Sequence, residues 1–187
     1  LIELRGAQVR VKVVSVDSVK KIVVTEVDQC QADVLNYIPN QKASQLAFDS
    51  GLVAEGKDWC DIHPKTFESK LVKNVHVIGD ASNAAPMPKS AFSASTQGKV
   101  VALQIARMLK QQEPLNPPKL ANTCYSLLSP NYCISIAAVY NALDDKIQNV
   151  DGAGGVSPET DPDGHIRILE AKYAYAWYES QTVDIFK

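Results

Sequence analysis

Residues 74–109 read NVHVIGDASNAAPMPKSAFSASTQGKVVALQIARML, and this stretch decides the fold. Its first part, NVHVIGDA (74–81), is short, apolar and rich in β-branched residues, which predicts a strand. A proline-containing loop follows, and residues 91–111 then have the length and spacing of a long helix with Lys110 near its end. The residues expected on its apolar face are Val100, Val101, Leu103, Ile105, Met108 and Leu109. A strand, a loop and a helix in this order are typical of an α/β protein.

The Gly-Asp pair at the end of the predicted strand is suited to a nucleotide-type ligand. Gly79 lets the backbone approach a ligand closely, and Asp80 can accept hydrogen bonds from sugar-like hydroxyls. The free N–H groups at the start of the next helix favour an electron-rich oxygen or an anion. Many buried strands also end in Gly-Asp at an ordinary turn, so the pair alone leaves both interpretations open. Lys89, next to Pro88, could steer an anion or face solvent.

The chain before residue 74 reads as short strands and one helix. AQVRVKVVSV (7–16) alternates valines with polar residues and predicts a strand, and IVVTEV (22–27) predicts its return strand in a hairpin. ADVLNYIP (32–39) predicts a further strand, and a helix is expected from Ala43 to Ser50, ending at Gly51. The next segment, WCDIHPKTFES, predicts an irregular connection.

A proline cluster separates this region from the C-terminal part of the chain. EPLNPPK (113–119) has three prolines in seven residues, so we predict two domains, residues 1–115 and 116–187. Beyond it, ISIAAVY (134–140) predicts a strand and DDK a turn, and the Gly/Pro/Asp-rich DGAGGVSPETDPDG (151–164) predicts a loop rather than a calcium site. The tail LEAKYAYAWYESQTVDIF (169–186) predicts a helix.

Composition limits the classes of function. Hydrophobic residues are 45% of the chain and charged residues 21%, ordinary values for a soluble globular protein. The net charge of −2 gives no electrostatic footprint for nucleic acid, and no apolar stretch is long enough to cross a bilayer. Four cysteines are too few for a disulfide scaffold but enough for one redox pair. The chain opens LIELRGAQ without a methionine, so we expect either a processed product or a C-terminal piece of something longer.

NTCYSLLSPNYC (122–133) contains two of the four cysteines. Cys124 has three interpretations: a redox-active thiol, a buried packing residue, or half of a structural disulfide with Cys133. Cys60 and His63 have the spacing of half a zinc site, but no second ligand pair is evident, which favours structural roles. No C-x-x-C-H occurs, so any haem belongs to a partner.

Two histidines and a group of aromatic residues are further candidates. His76 lies in an apolar run and is expected to be a satisfied core histidine, and His165 to be a solvated loop residue. The aromatic residues Tyr173, Tyr175, Trp177 and Tyr178 could pack a terminal helix onto the core or form one wall of a flavin site.

Residues 74–109 resemble the second flavin-contacting segment of the two-dinucleotide-domain flavoprotein oxidoreductases. Within that superfamily they are most similar to the flavoprotein subunit of flavocytochrome c sulfide dehydrogenase. Further segments resemble this family in the same order through to the C-terminus: ADVLNYIPNQKASQLA, WCDIHPKTFES, NTCYSLLSPNYCISIAAVY, GGVSP and YAYAWY. The resemblance implies an α/β protein with α+β character. It would comprise the C-terminal part of the two-dinucleotide-domain fold (1–115) and a small flavin-capping α+β domain (116–187).

The resemblance also implies a function. It implies FAD-dependent oxidation of sulfide in the periplasm, with electrons passed to a c-type cytochrome subunit. Asp80 would hold the ribityl chain, and the helix start from Ser93 through Gln97 to Gly98 would face the pyrimidine end of the flavin. Cys124 would be half of a redox-active disulfide beside the isoalloxazine ring, and Trp177 would pack near that ring.

The family has one feature that this sequence lacks. No G-x-G-x-x-G follows a strand in these 187 residues. The resemblance places that motif, the covalent flavin attachment cysteine and the disulfide partner of Cys124 in a preceding N-terminal part. We therefore expect half of an FAD site here. Two alternatives remain open: a non-catalytic flavin- or cytochrome-docking module, and an NAD(P)H-dependent disulfide reductase relative.

Overall fold

The computed structural model describes residues 12–187. The chain divides into two compact units, Leu1–Gln41 and Lys42–Lys187, which we call the first and second unit. The proline cluster at 113–119 lies inside the second unit, so the contacts divide the chain at a different place from the predicted boundary after residue 115. That boundary concerns the family's domains and stays a prediction.

The first unit contains a three-stranded antiparallel sheet. Its strands are β1 (Val13–Asp17), β2 (Ile22–Thr25) and β3 (Gln29–Gln31), in the order β1-β2-β3. The side chain of Asp17 accepts hydrogen bonds from the N–H groups of Val19 and Lys20, which closes the turn between β1 and β2. The predicted hairpin is confirmed for the described residues, while residues 7–11 of the predicted first strand lie outside them.

The predicted strand at residues 32–39 is wrong. This segment has no regular secondary structure, and Val34 and Ile38 are exposed. The physical reason is that the polar segment Gln29–Gln31 occupies the free edge of β2, and the ladder ends where the N–H of Ala32 donates to the carbonyl of Lys21. A run of apolar residues forms a strand only where an edge is available to pair with it.

Helices α1 and α2 of the second unit confirm two predictions. Helix α1 (Gln45–Asp49) lies within the expected range, and Gly51 follows it with φ of 67°. Helix α2 (Ala91–Leu109) begins after Ser90, whose hydroxyl accepts a hydrogen bond from the N–H of Ser93.

The predicted apolar face of α2 is confirmed in part. Val101 is buried and Val100 and Ile105 pack against the core, whereas Leu103, Met108 and Leu109 are exposed. The other buried residues of α2 are Ser93, Gln97 and Gln104. Buried polar side chains are tolerated here because they have hydrogen-bond partners. For example, Gln104 donates to the carbonyl of Lys65 over 3.0 Å and accepts from the N–H of Leu115 over 2.9 Å.

The predicted strand at residues 74–81 is also wrong. Among the described residues it forms an isolated bridge between His76 and Glu68, and residues 79–81 form a short 3-10 turn. Its backbone bonds instead to the chain just before it, since Ser69 N donates to Val75 O and Val77 N to Phe67 O. The segment is therefore the second half of a tight irregular loop, as the connection predicted at residues 59–69 suggests.

The C-terminal sheet consists of three antiparallel strands in the order β4-β5-β6. They are β4 (Lys119–Ser129), β5 (Tyr132–Ala142) and β6 (Ile147–Val156), and the last element is α3 (His165–Phe186). The predicted strand at 134–140, the turn at 144–146 and the terminal helix are confirmed.

The loop predicted at 151–164 is wrong in its first part, because residues up to Val156 belong to β6. A Cβ at Gly154 would lie 2.4 Å from the carbonyl oxygen of Ala137, so glycine is required in this strand by close contact with β5.

Helices α2 and α3 pack on opposite faces of this sheet. Side chains alternate along β4, so those of Asn122 and Cys124 face α2 and those of Thr123 and Tyr125 point to the other face. On the α3 face, Tyr125 packs with Cys133, Ala171 and Ala174. The described residues thus form two three-stranded antiparallel sheets and three α-helices, which confirms the mixed α/β class with α+β character.

Candidate functional site

The site begins with two side chains on the α2 face of β4. Asn122 is buried at 3% exposure and Cys124 is half-buried. Because they are two residues apart on one strand, their side chains share a face. The amide Nδ2 of Asn122 lies 3.3 Å from the Sγ of Cys124 and donates a hydrogen bond to it. Cys124 is therefore a thiol with a hydrogen-bond donor fixed against its sulfur.

The other end of the Asn122 amide bonds to the start of α2. Its Oδ1 accepts hydrogen bonds from the hydroxyls of Ser90, over 2.6 Å, and Ser93, over 3.1 Å. Sequence reasoning missed Asn122 and Ser90. The signal for Ser90 was present, since a serine before a helix is a typical N-cap, but nothing in the sequence pairs it with a strand residue.

Cys124 lines two cavities. The first, of about 360 Å³, lies where β4, α2 and α3 meet, and its walls include Phe92, Tyr125 and Trp177. The rings of Phe92 and Trp177 are stacked, with centroids 5.3 Å apart and planes 16° apart. The second cavity, of about 380 Å³, is lined by mostly apolar residues, among them Pro86 and Tyr140. Cys124 thus borders a cavity on each of two sides.

A larger cleft of about 700 Å³ lies between α2 and the C-terminal half of α3. The facing α3 wall includes Trp177 and Asp184. The α2 wall includes four small residues: Ala91, Ala94, Ser95 and Gly98. A Cβ at Gly98 would lie 3.4 Å from Cδ1 of Ile78, which also lines the cleft. A side chain at position 98 would therefore contact Ile78 and occupy part of the cleft.

The predicted Gly-Asp pair lies beside the same helix. Gly79 has φ of 66°, a conformation that favours glycine, and its N–H donates to Oε1 of Gln97 over 2.7 Å. Asp80 is exposed. Gln97 and Ser93 are both buried and hydrogen-bonded within the protein, Gln97 to Gly79 and Ser93 to Asn122. In this arrangement they support the residues that line the cavities and do not themselves line them.

Lys89 has a role that neither sequence interpretation anticipated. Its Nζ donates to the carbonyl oxygens of Asp80, over 2.6 Å, and Ser82, over 2.9 Å. It also lies 3.6 Å from the centroid of the Trp59 ring, within the range of a cation–π interaction. Burial lowers the pKa of the Lys89 ammonium, and the charge of Asp80 opposes this shift. The side chain thus braces the backbone of residues 80–82.

The interpretation of Cys124 and Cys133 as a structural disulfide is wrong. In the β4–β5 ladder Cys124 lies opposite Ile136 and Cys133 opposite Leu127. Since residues 124 and 127 are three apart on one strand, the two cysteine side chains point to opposite faces of the sheet. All four cysteines are free, and burial raises the pKa of both Cys133 and Cys60.

The buried carboxylate of Glu170 joins α3 to the sheet, and sequence reasoning gave no sign of it. Oε1 of Glu170 accepts hydrogen bonds from the hydroxyls of Ser135, over 2.8 Å, and Ser157, over 2.5 Å. Its Oε2 lies 3.3 Å from Nη1 of Arg167, one turn earlier on α3. Ser135 lies on β5 and Ser157 follows β6, so only the fold brings the two serines to this ion pair.

The remaining candidates lie apart from this site. Among residues 12–187, no three His, Cys, Asp or Glu side chains come together as a metal site requires. His76 is satisfied, as predicted, with Nδ1 2.8 Å from the carbonyl oxygen of Thr66, while His165 is exposed at the first position of α3 and not in a loop. Of the aromatic residues on α3, Tyr173, Tyr175 and Tyr178 are exposed and Trp177 packs on Phe92. Tyr173 and Tyr175 therefore neither pack α3 onto the core nor line the cavities described above.

The residues around Cys124 fit a flavin. A flavin ring needs a flat apolar slot and polar groups at its edge. The cleft lined by small residues, the aromatic stack of Phe92 on Trp177 and the exposed carboxylate of Asp80 have these properties.

Among the described residues, no helix is both long and apolar enough to span a membrane.

Comparison with known protein families gives an independent assignment of the C-terminal part. Residues 116–186 match the family described as flavocytochrome c sulphide dehydrogenase, flavin-binding. The match covers β4, β5, β6 and α3, and so includes Cys124, Asn122 and Trp177. For residues 116–186 it confirms the resemblance on which the sequence prediction rested, and it supports a flavin as the cofactor. This part of the chain is therefore similar to the flavin-binding domain of flavocytochrome c sulphide dehydrogenase.

Proposed function

We propose that this protein takes part in the FAD-dependent oxidation of sulfide, with Cys124 as a reacting thiol and a c-type cytochrome as electron acceptor. The observation that carries the proposal is the position of Cys124. It is a free, half-buried thiol that lines two cavities of a flavin-binding domain and has a hydrogen-bond donor at its sulfur. Reactive cysteines have this combination of accessibility and polar contact, whereas structural cysteines are buried.

The second unit offers groups that would hold part of FAD. The exposed carboxylate of Asp80 can accept hydrogen bonds from the ribityl hydroxyls, and the Gly79 backbone allows close approach. The N-terminus of α2 favours the negative charge that a reduced flavin carries at its pyrimidine end. Trp177 would pack near the ring. When bound, FAD supplies a two-electron acceptor that can release electrons singly to a haem.

The thiol chemistry proposed for Cys124 is a disulfide exchange. Hydrosulfide attacks the second sulfur of a disulfide between Cys124 and another cysteine, and a new S–S bond forms there as a persulfide. The old S–S bond breaks, and Cys124 leaves as a thiolate with the bonding electron pair. The sulfide sulfur is thereby oxidised and the disulfide is reduced, and FAD bound beside Cys124 would be the acceptor of these two electrons. Cys60 and Cys133 are both buried, and we propose as the partner the cysteine that the family resemblance places in a preceding N-terminal part, not Cys30.

We propose the acceptor and the compartment from the same family resemblance. A c-type cytochrome suits a chain that has no haem-attachment motif of its own. We propose the periplasm as the location, because c-type cytochromes and a redox-active disulfide are both compatible with an oxidising compartment. Separate assays of periplasmic and cytoplasmic fractions would test the location.

The test of the proposed function is sulfide-dependent reduction of cytochrome c by purified protein, with a visible spectrum of each preparation. Cys124→Ser should reduce the rate at least about 100-fold, because the hydroxyl replaces the thiol that breaks and re-forms the disulfide. Its flavin absorbance should remain. Cys30→Ser is the matched control, since Cys30 is an exposed cysteine of the first unit, and its rate should equal that of the wild type.

Three outcomes would contradict the proposal in different ways. A Cys124→Ser variant with wild-type activity would exclude the thiol mechanism. A folded wild-type protein that is colourless and inactive would exclude an enzyme activity for this chain alone and favour a docking module. Oxidation of NAD(P)H at the expense of a disulfide, without a response to sulfide, would favour the reductase alternative.

A further inference from the structure

We propose that Asn122 is a positioning residue that holds the sulfur of Cys124 and increases its reactivity as a thiolate. The proposal rests on the proposed function, in which Cys124 is the reacting thiol. It assigns a role to a residue that no sequence motif indicated, and it depends on three hydrogen bonds that meet at one side chain.

The hydrogen bonds fix the orientation of the Asn122 amide. A hydroxyl can donate or accept, but the Ser90 oxygen already accepts from the N–H of Ser93, so its own proton is available to donate. Both serine hydroxyls lie within 3.1 Å of Oδ1 of Asn122. Oδ1 is the acceptor for both hydroxyls, and Nδ2 lies 3.3 Å from the sulfur, closer than Oδ1 at 3.7 Å. The amide therefore presents its donor as the group nearer to the sulfur.

A donor at this position stabilises the negative charge that the sulfur carries when Cys124 leaves as a thiolate. Hydrogen bonds to a charged acceptor are about twice as strong as those to a neutral one. Asn122 is buried, so little water competes for its N–H.

The same contacts couple the sulfur to the start of α2. Ser90 is at once the N-cap of α2 and a donor to Asn122, and Thr96 donates to the carbonyl of Ala121 over 2.9 Å. These bonds fix β4 to the first two turns of α2. Since the α2 N-terminus is the part that would face the flavin, Asn122 sets the position of the thiol relative to that cofactor.

A purely structural role for Asn122 predicts the opposite experimental result. If Asn122 only joined β4 to α2, its loss would loosen the strand and expose Cys124. The rate of alkylation of Cys124 would then rise. If Asn122 acts on the sulfur, the rate of alkylation falls when the donor is removed, even where the strand becomes more accessible.

The test measures alkylation of each cysteine by iodoacetamide in the folded protein, followed by mass analysis of peptides. Asn122→Asp replaces the donor by a carboxylate oxygen of the same shape, and Asn122→Ala removes it. At about pH 7.5, where thiolate content limits the reaction, we expect the rate at Cys124 to fall about tenfold in Asn122→Asp and several-fold in Asn122→Ala. Cys60 and Cys133 should stay unreactive.

Two further variants separate this effect from folding and from charge. Asn149→Asp adds the same charge to the rim of the second cavity from β6, a strand that is not adjacent to β4. Its alkylation rate should stay close to that of the wild type. Ser90→Ala removes one of the two hydroxyls that orient Asn122 without touching the sulfur, and its rate at Cys124 should be intermediate. It also keeps the proposal testable if both Asn122 variants fail to fold.

An unchanged or faster alkylation of Cys124 in folded Asn122 or Ser90 variants would overturn the proposal. An equal loss in Asn149→Asp would also do so, because it would show a general effect of charge. Failure of the proposed function is distinguishable, since Cys124→Ser would then retain sulfide oxidation whatever the alkylation rates are.

Discussion

At the residue scale, the strand register gives the two cysteines of residues 122–133 different environments. Cys124 lines two cavities, whereas Cys133 is fully buried under α3 beside Ala171 and Ala174. Nothing in the spacing of nine residues distinguishes them. The distinction comes from the tight turn at residues 130–131, which places Leu127 opposite Cys133 and leaves the two thiols on opposite faces.

The buried thiol of Cys133 predicts a pH dependence of stability. Burial raises the pKa of Cys133 above its ordinary value of 9.0, so the thiol loses its proton more easily in the unfolded chain than in the folded protein. The unfolded state therefore binds fewer protons above pH 9, and the free energy of unfolding should fall as pH rises from there toward the raised pKa. Cys60, Tyr125 and Tyr140 have pKa values shifted in the same direction and should contribute.

Urea unfolding of the wild type and of Cys133→Ala at about pH 7.5 and about pH 9.5 checks this prediction. The variant should be less stable at the lower pH because it leaves a small cavity, but it should lose less stability between the two values. An identical loss in both proteins would show that Cys133 does not contribute.

At the element scale, the two halves of α3 are attached by contacts of different strength. The first half packs small residues and the buried Glu170 against the sheet. The second half borders the 700 Å³ cleft, where Trp177 stacks on Phe92 and Asp184 forms an ion pair with Lys99 over 2.6 Å. That ion pair is largely exposed, and exposed pairs contribute little to stability.

We therefore predict unequal effects of two α3 contacts. Glu170→Ala should lower the free energy of unfolding by about 3 kcal/mol, since it leaves two half-buried hydroxyls and Nη1 of the buried Arg167 without their acceptor. Lys99→Ala should lower it by less than about 1 kcal/mol. Chemical denaturation followed by tryptophan fluorescence measures both. Similar losses in the two variants would contradict the prediction, because they would show that the exposed ion pair stabilises α3 as much as the buried carboxylate does.

Elements whose signals are local could be predicted from the sequence. Helix α2 has a serine N-cap at Ser90 and a long uninterrupted pattern, and β5 has a compact β-branched run. The segment at 74–81 has the same local signal as β5 but no neighbouring strand among the described residues, so it forms a loop. Strand β6 was missed because its glycines suggest a turn, although Gly154 is required by contact with Ala137. Pairing is a property of the fold and is not encoded in the segment itself.

The candidate site was predictable to a similar extent. Cys124 and Trp177 were found through family resemblance, and both line the cavity at the edge of β4. Asn122 was not found, because its importance depends on the approach of Ser90 from an element more than thirty residues earlier. Buried polar contacts of this kind appear only when the packing of helix on strand is known.

At the scale of the whole molecule, the observations indicate two different domain boundaries in the sequence. The division into compact units falls between Gln41 and Lys42, whereas the proline cluster and the family match both favour a boundary near residue 115. The segment at 113–118 is tied to the second unit, because Leu115 bonds to Gln104 and Pro118 is fully buried. Residues 32–41 lack regular structure, and most of them are exposed.

We predict that limited proteolysis cuts the chain within about residues 33–42 and leaves the second unit intact. Proteases cleave exposed, irregular backbone that can adapt to their active sites, and the 113–118 segment is less adaptable because its hydrogen bonds and burial must be lost first.

The experiment is a time course with a low concentration of proteinase K, followed by intact mass analysis. The main product should begin between residues 34 and 43 and should unfold cooperatively, since both hydrophobic clusters lie within it. A stable fragment that begins near residue 116 would instead show that the flavin-binding family domain is the independent folding unit. In that case the contacts of α2 with β4, including the bonds to Asn122, would form an interface between domains and not part of one core.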